Sequence, residues 1–500
     1  MAHAATPAEA KFLALDLGAE SGRGVVGAFD GERLRIADVH RFATGPTRIL
    51  DTLYWDALRL FSECKRSLGM AAASHGAGFE AIGIDTWGVD FGLLGRGDVL
   101  LGNPRHYRDH ANDGMLDVAF ELAPREFIFG RTGIQFMQFN TLCQLLSLQR
   151  AGSPILEIAE TLLFMPDLLN FWFTGVKTTE LTVASTGQMV DPNTRSWAID
   201  LLQRLRLPTR ILTPIIAPGT TVGALRTDIA EECGCNAVPI IAPGEHDTAS
   251  AVVAVPASTT DYAYISSGTW SLVGIETTAP RIDSETLAAN FTNEGGACGT
   301  TRLLKNVMGL WLVQECRRTY ARRLRDYSYS DLSSLAAQSP AFGPLIDPDD
   351  PSFLAPADMV GAIAEFCAAT GQPEPDGVGA TIRCCLESLA LKYRWVIERL
   401  EEFRGGRIGT IHIVGGGARN GLLCQFTADV MQRPVIAGPV EATAVGNILM
   451  QTIGSGHLAS LAQAREVVRA SFDLEAYLPG PETDRWDDAY ARLLRIRDVN

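Results

Sequence analysis

The chain is poor in several features that would assign it to a familiar class at once. No apolar run approaches the length needed to cross a bilayer, and Met1 to Lys11 has no apolar core of signal-peptide length. Positive charge is in the minority, with 43 Lys and Arg against 58 Asp and Glu and a net charge of −15. That balance argues against nucleic acid or an anionic membrane as partner, although a local basic recess could still take a phosphate. The ten cysteines are scattered, and Cys233-x-Cys235 and Cys384-Cys385 are poor zinc spacings. Buried free thiols in a reducing cytosol are the expected state, and with them a soluble cytoplasmic protein. No glycine loop is followed by Gly-Lys-Ser/Thr, so a Walker A element is absent. What is present is a chain of 500 residues, 46% hydrophobic and 20% charged, ordinary in composition and too long for a single core.

The stretch around which the rest is organised lies near the middle. Ile241-Ala-Pro-Gly-Glu-His-Asp-Thr-Ala-Ser250 places a His246-Asp247-Thr248 triplet after an apolar strand, Val238 to Ala242, and a Pro-Gly turn. Tyr264-Ile-Ser-Ser-Gly-Thr-Trp-Ser271 follows as strand, glycine turn and strand. Asp247 fits a general base, and Gly268-Thr269 fits a backbone cradle for phosphate. Read alone, Asp247 fits equally well as the N-cap of a helix running on to Val255.

Other stretches follow the same logic. Phe12 to Leu17 is a strand ending at Asp16, Gly18 to Gly24 is a glycine-rich turn, and Val25 to Phe29 resumes the strand. Asp30-Gly31 then turns the chain into a third strand, Leu34 to Phe42. Gly22-x-Gly-x-x-Gly27 matches a dinucleotide fingerprint, but a hairpin follows where that fingerprint requires a helix, and a dehydrogenase is rejected on that ground. Two readings remain, a strand-turn-strand phosphate loop and a plain glycine hairpin. Phe79 to Ile84 is a strand leading into Asp85-Thr-Trp-Gly-Val-Asp90, which reads either as the position where an α/β sheet places a ligand or as a loop with a solvated acid pair and a core Trp. Thr178 to Gln188 is rich in Thr and Ser. Helices are expected over Asp51 to Arg66, Leu303 to Tyr320, Ala380 to Arg404 and Asp484 to Arg497, with a polar-glycine loop at Asn290 to Gly296. Ile411 to Val414 is a strand entering Gly415-Gly-Gly-Ala-Arg-Asn420, where three glycines let a ligand approach the backbone.

The second half echoes the first. Ala14-Leu-Asp-Leu-Gly18 and Gly24-Val-Val-Gly27 correspond to Ala263-Tyr-Ile-Ser-Ser-Gly268 and Ser271-Leu-Val-Gly274. Ala81-Ile-Gly-Ile-Asp85 corresponds to the strand at Ile411. A duplicated α/β domain is expected, divided in the small-residue stretch 254–260, with the ligand cleft between the copies.

Taken together, DLGAESGR (16–23), IGIDTWGVDFGLL (82–94), RTGIQF (131–136), GEHDTASAV (244–252), YISSGTWSLVG (264–274), LAANFTNEGGA (287–297), LKNVMGLWLVQE (304–315), HIVGGGARN (412–420) and AGPVEATAVGNI (437–448) resemble the FGGY carbohydrate kinase family of the actin-like ATPase superfamily. The resemblance implies two ribonuclease-H-like domains, a sugar-binding one over 1–256 and an ATP-binding one over 257–480, with ATP and sugar in the cleft. The DTWGVDF and HDTASAV stretches are similar to those of members acting on L-rhamnulose rather than on glycerol, xylulose or gluconate. They imply transfer of phosphate from ATP to its 1-hydroxyl. The resemblance further implies Asp247 as the base and Ala19, Glu20, Ser21, Gly22 and Arg23 at the ATP phosphates. It places Thr269, Gln314 and Gly416 at ATP, and Gly88, His246, Asp247, Thr248 and Asn306 at the sugar. Asp16 would hold Mg²⁺ through water. Glu20 departs from the pattern, standing where many relatives carry a small hydroxyl residue.

Two rivals stand beside this reading. One is a family member acting on another ketose such as L-fuculose. The other is a non-catalytic, sugar-sensing or chaperone-like relative, disfavoured by the retained acids and both phosphate turns. A chaperone would also need a peptide-binding domain after the second copy, where little chain remains. A monomer is the expected state.

Overall fold

Near-continuous apolar runs form strands that are buried on both faces, as the parallel centre of a mixed sheet requires. The computed structural model describes residues 9–323 and 325–499, so most of the Met1 to Lys11 segment lies outside the described residues. The chain divides into two compact units. The first comprises residues 1–254, 276–303 and 442–472, and the second residues 255–275, 304–441 and 473–500.

In the first unit the strands are β1 (Ala10–Leu17), β2 (Ser21–Phe29), β3 (Leu34–Ala43), β4 (Ala81–Thr86), β5 (Thr221–Ala224) and β6 (Pro239–Ile241). They form one sheet in the order β5-β6-β4-β1-β2-β3. β1 runs antiparallel to β2 and parallel to β4, with Asp16 opposite Asp85. β6 is parallel to β4, and the chain continues from it to a bridge pairing Thr86 with His246. The carboxyl ends of β1, β4 and β6 therefore meet at one edge. The hairpin from β2 into β3 removes the dinucleotide reading structurally.

In the second unit β7 (Tyr262–Ser267), β8 (Trp270–Thr277), β9 (Thr410–Val414), β10 (Val435–Ala437) and β11 (Glu475–Tyr477) lie in the order β8-β7-β9-β10-β11. β7 is antiparallel to β8 and parallel to β9, and β9 is parallel to β10. Each unit thus repeats one plan, an antiparallel pair whose first strand takes a parallel partner. This is the duplication expected from the internal echo, in the ribonuclease-H-like form that the resemblance implies.

Several local expectations shift. Asp51 to Arg66 is helical only from Ala57, where Asp56 caps the helix Ala57–His75 by accepting from the Arg59 amide. The segment Leu303 to Tyr320, expected as one helix, is a strand over Thr301–Met308 and then a helix over Trp311–Arg323. The break falls at Gly309, where a Cβ would stand 2.5 Å from Ser271 Oγ, so the chain must turn against β8. The expected loop at Asn290 to Gly296 contains the strand Thr292–Gly295.

One acid of the DTWGVD stretch belongs to the core. Asp90 is fully buried and accepts hydrogen bonds from Trp55 Nε1 at 2.5 Å, Trp87 Nε1 at 2.9 Å and Gln144 Nε2 at 2.9 Å. Burial pushes its carboxyl up to about 7, although the Trp55, Gln144 and Trp87 donors oppose the shift. The rings of Trp55 and Trp87 stack at 3.8 Å. Trp55→Phe removes a donor to a buried acid and leaves a void, so it is expected to cost about 2–4 kcal/mol in chemical denaturation. A loss under about 0.5 kcal/mol, the range of a surface change, would contradict this role.

Candidate active site

The acids of the first unit converge at the sheet edge where strand ends expose their backbone. Asp16 is the next-to-last residue of β1 and is 5% exposed. Its Oδ2 accepts from Arg23 Nε at 2.9 Å and Nη2 at 2.6 Å, a fork contact from the facing strand. Asp85 is fully buried one strand away, where Asn447 Nδ2 donates to its Oδ2 at 2.5 Å. Asp85 Oδ1 has no hydrogen-bond partner among the described residues. Burial first, then the charge of Asp16, pushes the Asp85 carboxyl well up.

Asp247 is the first residue of the helix Asp247–Val253, and His246 occupies the cap position. The N-cap reading of Asp247 is therefore displaced by one residue. The Asp247 carboxylate lies in the first turn, with its side chain 28% exposed. Thr248 Oγ1 donates to Asp247 Oδ1 at 3.2 Å. Burial is the main force raising the Asp247 pKa; His246 opposes it and Asp16 adds to it.

His246 is held from behind. Its Nε2 lies 3.5 Å from Asp247 Oδ1 and its Nδ1 lies 3.3 Å from Glu294 Oε2. Arg302 has no exposed side-chain surface; its Nη2 reaches His246 Nδ1 at 3.2 Å and Glu294 Oε2 at 3.1 Å. Neither Glu294 nor Arg302 was singled out from the sequence. The available signal was an arginine inside an apolar strand, Thr301-Arg-Leu-Leu304, because a buried guanidinium requires a carboxylate partner.

The turn that joins β1 to β2 holds Gly18, Ala19 and Glu20, shorter than the expected Gly18 to Gly24, and Ser21, Gly22 and Arg23 open β2. The Gly18 amide donates to Ser21 O at 3.0 Å, the Thr44 amide donates to Glu20 O at 3.2 Å, and Thr44 Oγ1 donates to Gly18 O at 2.6 Å. Gly22 allows β3 to lie close, since a Cβ there would meet the Phe42 ring at 2.4 Å. Gly88 lies just beyond β4 and packs on Thr186, 2.9 Å from where its Cβ would be. Asp16, residues 19–23, Gly88 and His246 to Thr248 thus all sit at or beside one edge of the first unit.

The second unit gathers another group. Thr269 lies in the turn between β7 and β8, and its carbonyl accepts from the Gly309 amide at 3.2 Å and the Trp311 amide at 3.1 Å. That contact places the start of the helix Trp311–Arg323 beside the turn. Gln314 stands on this helix, and its Oε1 is buried with no hydrogen-bond partner among the described residues. Gly415-Gly416-Gly417 follows β9, and Gly417 packs so closely on Ser267 that a Cβ would lie 2.0 Å from Ser267 Oγ. Gly416 is exposed, with open space where a Cβ would stand. Asn306 lies on the strand Thr301–Met308, not on a helix as the sequence suggested.

Comparison with known proteins also divides the chain in two, between residues 254 and 263. Residues 11–254 match the N-terminal domain of the FGGY family of carbohydrate kinases, and residues 263–455 match its C-terminal domain. A protein from Bacteroides thetaiotaomicron named rhamnulokinase is 44% identical over 479 residues, covering 96% of this chain and 98% of its own. A rhamnulokinase from Pectobacterium carotovorum is 41% identical, covering 94% of each chain. Among solved structures, a gluconate kinase from Lactobacillus acidophilus superposes with a TM-score of 0.80 at 16% identity, over 98% of both chains. A ligand-bound xylulose kinase from the same organism gives 0.80 at 17% identity over the same share. At those identities the structural likenesses speak to the fold alone.

Proposed function

We propose that this chain, which belongs to the FGGY family of carbohydrate kinases, transfers the terminal phosphoryl group of ATP to the 1-hydroxyl of L-rhamnulose. The products are L-rhamnulose 1-phosphate and ADP, as a step in the breakdown of L-rhamnose. The observation that carries the substrate is the 44% identity, over nearly the whole of both chains, to a protein named rhamnulokinase. The site chemistry fits. A sugar hydroxyl is a poor nucleophile, and Asp247 is a partly exposed carboxylate at a strand-to-helix junction that can take its proton as the bond to phosphorus forms.

His246 and Thr248 flank that carboxylate and are assigned, with Gly88 and Asn306, to the hydroxyls of the ketose. Residues 19–23 are assigned to the ATP phosphates, with Arg23 supplying positive charge. Thr269, Gln314 and Gly416 are assigned to ATP from the second half. The sugar-binding role is assigned mainly to 1–256 and the ATP-binding role mainly to 257–480. The buried, unpartnered Asp85 Oδ1, together with Asp16, fits a divalent cation such as Mg²⁺, which binds through few carboxylates and keeps its waters. Mg²⁺ would neutralise charge on the transferred group. The ten cysteines, all free thiols, support a reducing, cytoplasmic location. No helix among the described residues is long and apolar enough to cross a membrane.

The test is ADP release with ATP-Mg²⁺ and a panel of L-rhamnulose, L-fuculose, D-xylulose and glycerol. Turnover strongest on L-rhamnulose is expected; a preference for L-fuculose would move the substrate, and no sugar-dependent turnover would overturn the kinase reading.

The raised pKa of Asp247 gives a pH prediction with a definite sign. The base must be ionised, and burial keeps it protonated to higher pH than an exposed aspartate. The acid limb of kcat/KM for the ketose is therefore expected to lie above the ordinary carboxylate value of about 4, with rate rising as pH increases through it. An acid limb at or below that value would contradict the burial argument.

A further inference from the structure

The Thr/Ser-rich stretch is untouched by the account so far. Its centre is a short helix, Leu181–Thr186, whose side chains are all buried. Thr182, Ser185 and Thr186 follow the i, i+3, i+4 spacing that puts three side chains on one face. Each hydroxyl proton is engaged locally. Thr182 Oγ1 donates to Glu180 Oε2, Ser185 Oγ to Thr182 O at 2.8 Å, and Thr186 Oγ1 to Val183 O at 2.7 Å. With its proton so engaged, each oxygen can only accept from outside.

Each accepts a backbone amide from a different segment of the sugar side. The His246 amide donates to Thr182 Oγ1 at 3.1 Å, the Val89 amide to Thr186 Oγ1 at 2.9 Å, and the Gly295 amide to Ser185 Oγ at 2.9 Å. These three segments carry His246-Asp247, Gly88 and Glu294, and they are separated widely in sequence. Glu180, which caps the helix, also accepts the Glu245 amide at 3.2 Å. One short helix thus ties all three segments together.

Resting on the kinase reading above, we infer that the hydroxyl face of Leu181–Thr186 is the positioning element of the ketose site. Thr182, Ser185 and Thr186 set the spacing of His246, Gly88 and Glu294, and thereby the discrimination between ketoses that differ at one hydroxyl. They touch no substrate themselves. Small misplacements at such distances are costly, because a shift of about 1 Å can lower rate about 100-fold.

The test compares Thr186→Val and Thr182→Val, which lose the acceptor oxygen, with Thr186→Ser and Thr182→Ser, which keep it. The valine variants are expected to lower kcat/KM for L-rhamnulose about 10- to 100-fold, to narrow the L-rhamnulose to L-fuculose ratio, and to leave KM for ATP unchanged. The serine variants are expected to restore the unaltered values. If a valine variant does not fold, Ser185→Ala with Ser185→Thr as its control makes the same comparison at the Gly295 amide. Amide hydrogen exchange gives a second readout that needs no turnover, since protection at Val89 and His246 should fall in the matching valine variant. Valine and serine variants that behave alike, or a loss shared equally by ATP and sugar, would overturn the inference. If the unaltered protein phosphorylates no ketose, the kinase reading fails, while the exchange data still decide whether the hydroxyls hold these segments.

Discussion

Asp247→Asn is expected to lower turnover on L-rhamnulose by about 10²- to 10⁴-fold, with KM for ATP unchanged. The substitution keeps the shape of the side chain. Thr248 Oγ1 can still donate to the remaining oxygen, as it does to Asp247 Oδ1 at 3.2 Å, and the helix Asp247–Val253 keeps His246 as its cap. What the amide loses is the ability to accept the proton of the attacking hydroxyl. The other buried acids have another assignment. Asp85 and Asp16 are assigned to the cation, and each is held by a fixed donor, Asn447 at 2.5 Å or Arg23. A variant retaining more than about one per cent of the original rate, outside the range for losing a base, would remove Asp247 from that role. Steady-state kinetics with saturating ATP measures this directly.

Gly446→Ala is expected to be among the most damaging single changes away from the chemistry. Gly446 lies on the helix Ala442–Gly454, which returns from the far end of the sequence to pack on the helix that starts at Asp247. A Cβ at 446 would stand 1.7 Å from the carbonyl oxygen of Ser250 and 2.6 Å from its carbon. That obstacle is backbone, so no rotamer change relieves it, and the two helices must part. Overpacking of this kind costs about 1–3 kcal/mol, and a backbone-on-backbone clash belongs at or above the upper end. Because the same movement displaces Asp247 and withdraws Asn447 from Asp85, turnover should fall in the fraction that remains folded. Gly78→Ala is the control, since open space surrounds its Cβ position, and it should change stability by no more than about 0.5 kcal/mol. Denaturation curves that coincide for the two variants would contradict the close helix contact.

Much of this arrangement is legible in the residues. The strand, glycine turn and strand at Ala14 and again at Ala263 read directly, because apolar runs broken by Gly encode sheet and turn locally. The pairing of β1 with β4 and of β7 with β9 confirms that echo. The His246-Asp247-Thr248 triplet was legible as chemistry because a strand-to-helix junction is a place where a carboxylate can meet a ligand. Other parts were not legible, for physical reasons. Leu304 to Leu312 carries apolar residues that suit either a strand or a helix, and only the contact of Gly309 with Ser271 decides between them. Asn447 and Gln451 sit four residues apart in an apolar helix, where their amides make sense only against Asp85 and the carbonyl of Leu13. Glu294 and Arg302 face His246 from a segment about fifty residues away in sequence, and long-range pairing of that kind leaves no local pattern. Asp90 looked like a ligand acid beside Asp85, yet two indoles already bind it.

The most direct test of the central claim is to identify the product. After incubation with ATP-Mg²⁺ and L-rhamnulose, proton-coupled phosphorus NMR distinguishes a phosphate on a CH₂ oxygen from one on a CH oxygen by its splitting. A new phosphomonoester signal split into a triplet by the two C1 protons, formed in step with ADP and absent with Asp247→Asn, is the predicted result. A doublet would place the phosphate on a secondary hydroxyl, and ADP formed without any sugar phosphate would contradict the account.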